Sequence, residues 1–282
     1  SLPYIPEPSC SVTELLQEDS GTSALAKYLQ QHANAPAYGG TEVCYFPLGE
    51  DKFAQMLHQN EQAKEFIFLE YFIVYPGHMW DSILEILKRK AAQGVDVRFL
   101  YDGMNAFTNL PYSYPKELEA RGIRCKMHAP IRPFVSTHYN YRDHRKIMVI
   151  DGHTAFTGGV NLADEYINRC EKYGHWKDTG LMLRGPAAES FTVMFLQLWS
   201  ADLRSPEYHK FLRTDPEQLE APGFVMPYAD SPLDGDRVGE QVYIDLLSRA
   251  EKYVHIMTPY LILGHELESA LKFTAQRGVE VS

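Results

Sequence analysis

Apolar residues follow two alternating rhythms along this chain. Residues 66–74 (Phe-Ile-Phe-Leu-Glu-Tyr-Phe-Ile-Val) are aromatic and β-branched, with Glu70 the only charge, which predicts a strand buried on both faces. Within 79–93 the apolar positions Ile83, Leu84, Leu87 and Ala91 recur at helical spacing, and Gly94 closes that helix. A strand over 95–101, a short helix over 115–121 and a strand over 123–128 continue the pattern. Strand–helix–strand alternation predicts a layered α/β domain.

The rhythm then changes. Two apolar runs, 146–150 and 153–156, flank Asp151-Gly152, which is a strong hairpin signal. Gly158-Gly159 permits a sharp turn before 161–166, which starts like a helix; a strand over 179–183, a break at Gly185-Pro186 and an amphipathic helix to about Leu203 follow. Near the N-terminus Ser11 and Glu14 have capping-box spacing, 22–32 is amphipathic, and 35–40 is a break. Segment 68–73 resembles 256–261, and 91–97 resembles 275–281, so a second copy of the domain is expected to begin near Val225. The resulting division is an N-terminal segment over 1–40, a first domain over 41–224 and the start of a second over 225–282. On that reading the chain is part of a longer one.

Composition narrows the function classes. At 282 residues, 45% hydrophobic and 23% charged, the chain is ordinary globular protein and is long enough to bury roughly three-quarters of its surface. Its 27 basic and 37 acidic residues give a charge of −10, which argues against general nucleic-acid binding. The cysteines Cys10, Cys44, Cys125 and Cys170 form no C-x-x-C pair and read as buried free thiols. Residues 66–75, the longest apolar run, are far too short to span a membrane. No glycine-rich nucleotide loop is present, so an ATP or NAD enzyme is not supported.

Candidate chemistry centres on His144-Arg145-Lys146. Side chains two apart on a strand share a face. An imidazole beside a fixed cation is a poor metal site, because the ammonium repels the ion, but it suits attack on a phosphodiester. Lys146 neutralises phosphoryl oxygens while His144 attacks phosphorus. Asp151, at odd spacing, should lie off that face and secure the turn or a supporting hydrogen bond. Asn161, brought round by Gly158-Gly159, is placed to donate its amide to the same phosphate. Glu70, a carboxylate in an apolar strand, is a candidate pocket residue, with a hydrogen-bonded buried Glu as the alternative. The loop 104–114, with Phe107, Leu110, Tyr112 and Tyr114, and the segment 130–134 are aromatic enough to form a lipid-facing rim.

Taken together, His144-x-Lys146, four residues, Asp151, six residues, then Gly158-Gly159-x-Asn161 resembles the HKD signature of the phospholipase D superfamily. The flanking Asn140-Tyr141-Arg142-Asp143, Phe156-Thr157, Asp164-Glu165-Tyr166, Trp176-Lys177-Asp178 and the distant Thr258-Pro259-Tyr260 are similar to bacterial cardiolipin synthases. The resemblance implies a layered domain, a mixed β-sheet flanked by helices, duplicated in the full-length protein, with one motif per half sharing one active site. It also implies a phosphohistidine intermediate, the other half's histidine as acid and then base, and no metal or cofactor. Two phosphatidylglycerol molecules would yield cardiolipin and glycerol. Carried onto this chain, the catalytic motif residues are His144 as nucleophile, Lys146 with Asn161 as phosphate clamp, and Asp151 as support. Asp178 is the candidate to orient the histidine. The implied partners are a phospholipid, a membrane surface and a second HKD half from the same longer chain or another copy, with no nucleic acid. The implied location is the bacterial cell membrane, spanned by helices outside this chain. One departure stands out: no second H-x-K-x4-D is present, since neither His255 nor His265 is followed by Lys two positions on. The chain alone is therefore expected to show little transferase activity. Hydrolysis of phospholipid headgroups is the alternative activity, and a non-catalytic phosphate-binding module the alternative class.

Overall fold

A computed structural model describes residues 20–130, 142–202, 208–212, 219–230, 237–258 and 260–282. They divide into two compact units: 37–227, and 20–36 together with 228–282. The expected capping box at Ser11 and the segment 131–134 lie outside the described residues.

Seven strands form the sheet of the first unit: β1 (Glu42–Phe46), β2 (Phe66–Tyr71), β3 (Asp96–Asp102), β4 (Arg124–His128), β5 (Lys146–Ile150), β6 (Thr154–Gly158) and β7 (Gly180–Arg184). Their order is β1-β7-β6-β5-β2-β3-β4. The β2, β3 and β4 strands run parallel, while β5 joins β2 antiparallel and β6, β7 and β1 continue antiparallel. This is the layered α/β arrangement that the apolar pattern predicts, with the mixed, helix-flanked sheet that the resemblance implies.

The continuous apolar run of β2 follows from burial on both faces. Ile67, Leu69 and Tyr71 enter one core with Met56, Trp80, Phe99, Met148 and Phe156, covered by helices Gly49–Gln62 and His78–Ala92. Phe66 and Phe68 enter the other with Ile147, Val149, Phe191, Phe195 and Trp199, covered by helix Ala188–Trp199. Phe68 stacks on Phe195 with ring centroids 4.6 Å apart; burying such a ring stabilises the fold by about 1.5–3 kcal/mol.

Three details differ from the sequence expectation. The stretch 161–166 does not grow into an α-helix: it makes one 3₁₀ turn, Asp164–Ile167, ended by Asn168 at φ 53°. Asn168 is held there because its side chain accepts from Trp176 N and donates to Trp176 O and Glu50. The helix before 203 stops at Trp199. Helix Gly49–Gln62 and strand β1 are additions that the apolar pattern does not announce.

In the second unit, helix Ser20–His32 lies beside helix Val238–Arg249, where Arg249 Nη1 donates to Thr22 Oγ1 at 3.5 Å. Residues 20–32 thus group with the chain's C-terminal part rather than with a separate N-terminal segment. The short parallel pair β8 (Tyr253–Val254) and β9 (Glu280–Val281) brackets helix His265–Gln276 and Gly278. Residues 253–281 follow the order strand, helix, Gly, strand, but the first strand ends at Val254, before the 256–261 segment that resembles 68–73. Among the described residues no helix is long and apolar enough to cross a membrane.

Candidate active site

The register Tyr71↔Lys146 sets the start of β5 beside the C-terminal end of β2, the sheet edge where α/β proteins collect their functional loops. His144 precedes β5, and its ring lies 4.6 Å, centroid to centroid, from Phe72. Lys146 Nζ stands 5.4 Å from the centre of the same ring, a cation–π distance. The ammonium is 3.1 Å from His144 Nδ1 and also donates to the His144 carbonyl oxygen. Phe72 therefore floors a compact histidine–lysine pair. Burial, opposed by Asp143 and Asp178, brings the Lys146 pKa down to about 8. Burial and then the Lys146 charge hold the His144 pKa below its ordinary value. The imidazole is thus neutral at pH 7 beside a mostly protonated lysine, a state suited to nucleophilic attack on an anion.

Asp151 sits at the far end of β5. Its carboxylate accepts from Lys64 N, Glu65 N and Phe66 N at 2.8, 2.8 and 2.9 Å, and its own N–H donates to Phe66 O. It ties the hairpin turn, where Asp151 and Gly152 take φ of 51° and 66°, to the start of β2. Asn161 is buried; its Oδ1 accepts from Ile73 N at 2.9 Å and its Nδ2 donates to the Tyr166 hydroxyl at 2.9 Å. That amide fixes the backbone just beyond Phe72. Asp178 accepts from Thr179 N at 2.8 Å, and its charge acts on Lys146 and on Lys52.

Glu70 falls on the opposite face of the sheet from Lys146, by the alternation along β2 and β5. There it forms a buried cluster with Asp143 and Arg145. Arg145 Nε is 2.6 Å from Glu70 Oε1 while its N–H is directed at Asp143 Oδ1, 3.1 Å away. Desolvation, with Asp143 opposing the effect of Arg145, raises the Glu70 pKa well above the usual carboxylate range. Arg142 is likewise engaged, donating to Ala129 O at 2.8 Å and to Asp102 at 3.3 Å. Of the three cations around the motif, the two arginines are thus committed to carboxylates and Lys146 faces the histidine.

Sequence reasoning missed Lys52, on helix Gly49–Gln62. It is wholly buried, and its Nζ has no hydrogen-bond partner among the described residues. Burial, opposed by Asp178 and reinforced by Lys146, lowers its pKa to about 7. Its stem lies against Gly180, where an added Cβ would come within 2.5 Å of Lys52 Cδ. Nothing in the apolar pattern marks it, because Lys52 occupies a core position of its helix.

Residues 56–199 match the family model described as "Cardiolipin synthase, PLD-like domain". The chain belongs to this family of phospholipase D-like domains. A Streptococcus mutans protein described as uncharacterised is 51% identical over 279 residues, covering 99% of this chain and 60% of that protein. The cardiolipin synthase of Geobacillus thermodenitrificans is 35% identical over 264 residues, covering 91% of this chain and 51% of that enzyme. The chain thus spans 60% and 51% of the lengths of these relatives. Among solved structures, the phosphatidylserine synthase of Haemophilus influenzae shares the fold at a TM-score of 0.63 and 17% identity, covering 92% of this chain and 65% of that one.

Proposed function

We propose that the chain carries one half of a phosphatidyltransferase that joins two phosphatidylglycerol molecules into cardiolipin and glycerol. The observation that carries this reading is the His144–Lys146 pair: a neutral imidazole 3.1 Å from an ammonium, on the Phe72 ring. The likeness to cardiolipin synthases at 35% identity supports the substrate. At rest the Lys146 ammonium occupies the Nδ1 lone pair of His144. An arriving phosphodiester draws Lys146 to its phosphoryl oxygens and frees the imidazole, which attacks phosphorus. The bond to the glycerol headgroup oxygen breaks, and a phosphohistidine forms at His144. The glycerol oxygen takes a proton from an acid supplied by the histidine of a second HKD half. That histidine then removes a proton from the hydroxyl of the second phosphatidylglycerol, whose oxygen displaces His144. Asn161 secures the backbone at Ile73, and Asp151 anchors the hairpin.

The 282 residues contain one H-x-K-x4-D motif, so turnover requires a second motif from further chain or another copy. Phospholipid bound at a membrane surface is the substrate form, and Tyr75 and Tyr112, both exposed, lie on loops leaving the same sheet edge as His144. The test is turnover of phosphatidylglycerol in mixed micelles by the complete protein. Cardiolipin plus glycerol is expected; phosphatidic acid as the sole product would move the assignment to hydrolysis. His144→Ala should cut turnover by about a thousandfold or more while leaving the unfolding transition in place; retained activity would remove His144 as nucleophile.

A further inference from the structure

Three glycines near the motif make room for something. At Gly159 an added Cβ would stand 2.0 Å from Asp178 Oδ1. At Gly180 it would meet the Lys52 stem at 2.5 Å, and at Gly158, with φ 127°, it would meet Thr179 O at 2.4 Å. The glycine pair of the motif and the first residue of β7 therefore shape a narrow slot. Asp178 enters it from the strand side and Lys52 from the helix side. The Lys52 stem lies against Gly180, and its ammonium is fully buried and, among the described residues, without a hydrogen-bond partner. An ion so placed is expensive to keep, and the charged groups acting on it are Asp178 and Lys146. Asp178 is thus the carboxylate common to both lysines.

We propose that Lys52 is a positioning residue for the phosphate clamp: it shares the Asp178 carboxylate and so keeps Asp178 from capturing the Lys146 ammonium that must meet the phosphoryl group. This deepens the transferase reading and rests on it. While Lys52 is charged, Asp178 is balanced from behind and Lys146 is available to an incoming anion. When Lys52 loses its proton, Asp178 turns its whole field on Lys146 and competes with the substrate. Burial lowers the pKa of both lysines, so clamp strength falls as pH rises above neutrality. A side chain that merely filled core volume would have no effect on that fall.

The experiment compares the complete protein with its Lys52→Met, Asp178→Asn and doubly substituted variants. kcat/KM is measured against pH on phosphatidylglycerol in mixed micelles, and the Lys146 ammonium is titrated by nitrogen NMR. Lys52→Met should lower kcat/KM at neutral pH by about ten- to a hundredfold, the size of loss seen when an outer partner that orients a metal ligand is removed. It should also move the alkaline limb to higher pH and raise the Lys146 pKa above its value of about 8. The double variant should lose no more than the worse single one, since both changes act on the same carboxylate. An unchanged Lys146 titration in Lys52→Met, or losses that multiply in the double variant, would overturn the proposal. If the complete protein turns over no phosphatidylglycerol, the transferase reading fails, while the Lys146 titration still decides the role of Lys52.

Discussion

Lys52 carries a large electrostatic burden in the first unit, and its titration has a defined sign. In the unfolded chain Lys52 keeps its ordinary pKa of 10.5, whereas the folded chain releases that proton at about 7. Between these values the unfolded state binds more protons, so this group makes stability rise with pH, and its cost stands almost in full at pH 7 and below. Each tenfold loss of proton affinity on folding is worth about 1.4 kcal/mol, so the buried ammonium costs a few kcal/mol. Lys52→Met should therefore stabilise the protein at pH 7 by on the order of 1–3 kcal/mol in urea titrations, with the gain shrinking toward pH 10.5. No gain at pH 7 would show that the slot relieves the ammonium by some other means. His144 is legible in the sequence because its chemistry depends on a partner two positions away. Lys52 is not, since both groups that give it meaning lie far along the chain.

Strand β5 divides its labour between its ends. At its start are His144 and Lys146; at its finish Asp151 holds three amides of the 64–66 segment. Asp151→Asn keeps the shape but loses the charge, and hydrogen bonds to charged groups are worth about 1.5–3 kcal/mol each. The expected result is a loss of about 2 kcal/mol in unfolding free energy, with kcat per folded molecule within about twofold of the parent. A collapse of kcat at unchanged stability would place Asp151 in the chemistry instead. The elements that periodicity reveals are those whose core faces are apolar, such as β2, β5 and helix His78–Ala92. Helix Gly49–Gln62 escapes because two of its buried positions, Lys52 and Asn60, are polar, yet both are fully buried. Asn60 manages this by donating to Met56 O at 2.8 Å. The helical start at 161–166 misleads for the opposite reason: its local signals are helical, but Asn168 is claimed by Trp176.

At the level of the whole molecule, the sheet order could not be read from the sequence. β5 pairs with β2 although, among the described residues, three helical segments and two strands separate them in the chain, and long-range pairing leaves no local trace. Both cores flank this one sheet and are built from residues of 37–227. That segment expressed alone is accordingly expected to unfold in one cooperative transition, seen as coincident circular dichroism and fluorescence curves; two separated transitions would contradict it. The slot between helix Gly49–Gln62 and the 158–180 region has a further consequence for recombining this protein with its relatives. Half of the lock comes from each side: a long flexible amine from one segment, and hydrogen-only positions with a carboxylate from the other. A chimera whose crossover separates residue 52 from residues 159, 178 and 180 inherits halves from different parents, which fit only if both parents solved the problem in the same way. Within the first unit, the permissive crossovers are those that move 49–62 and 158–180 together.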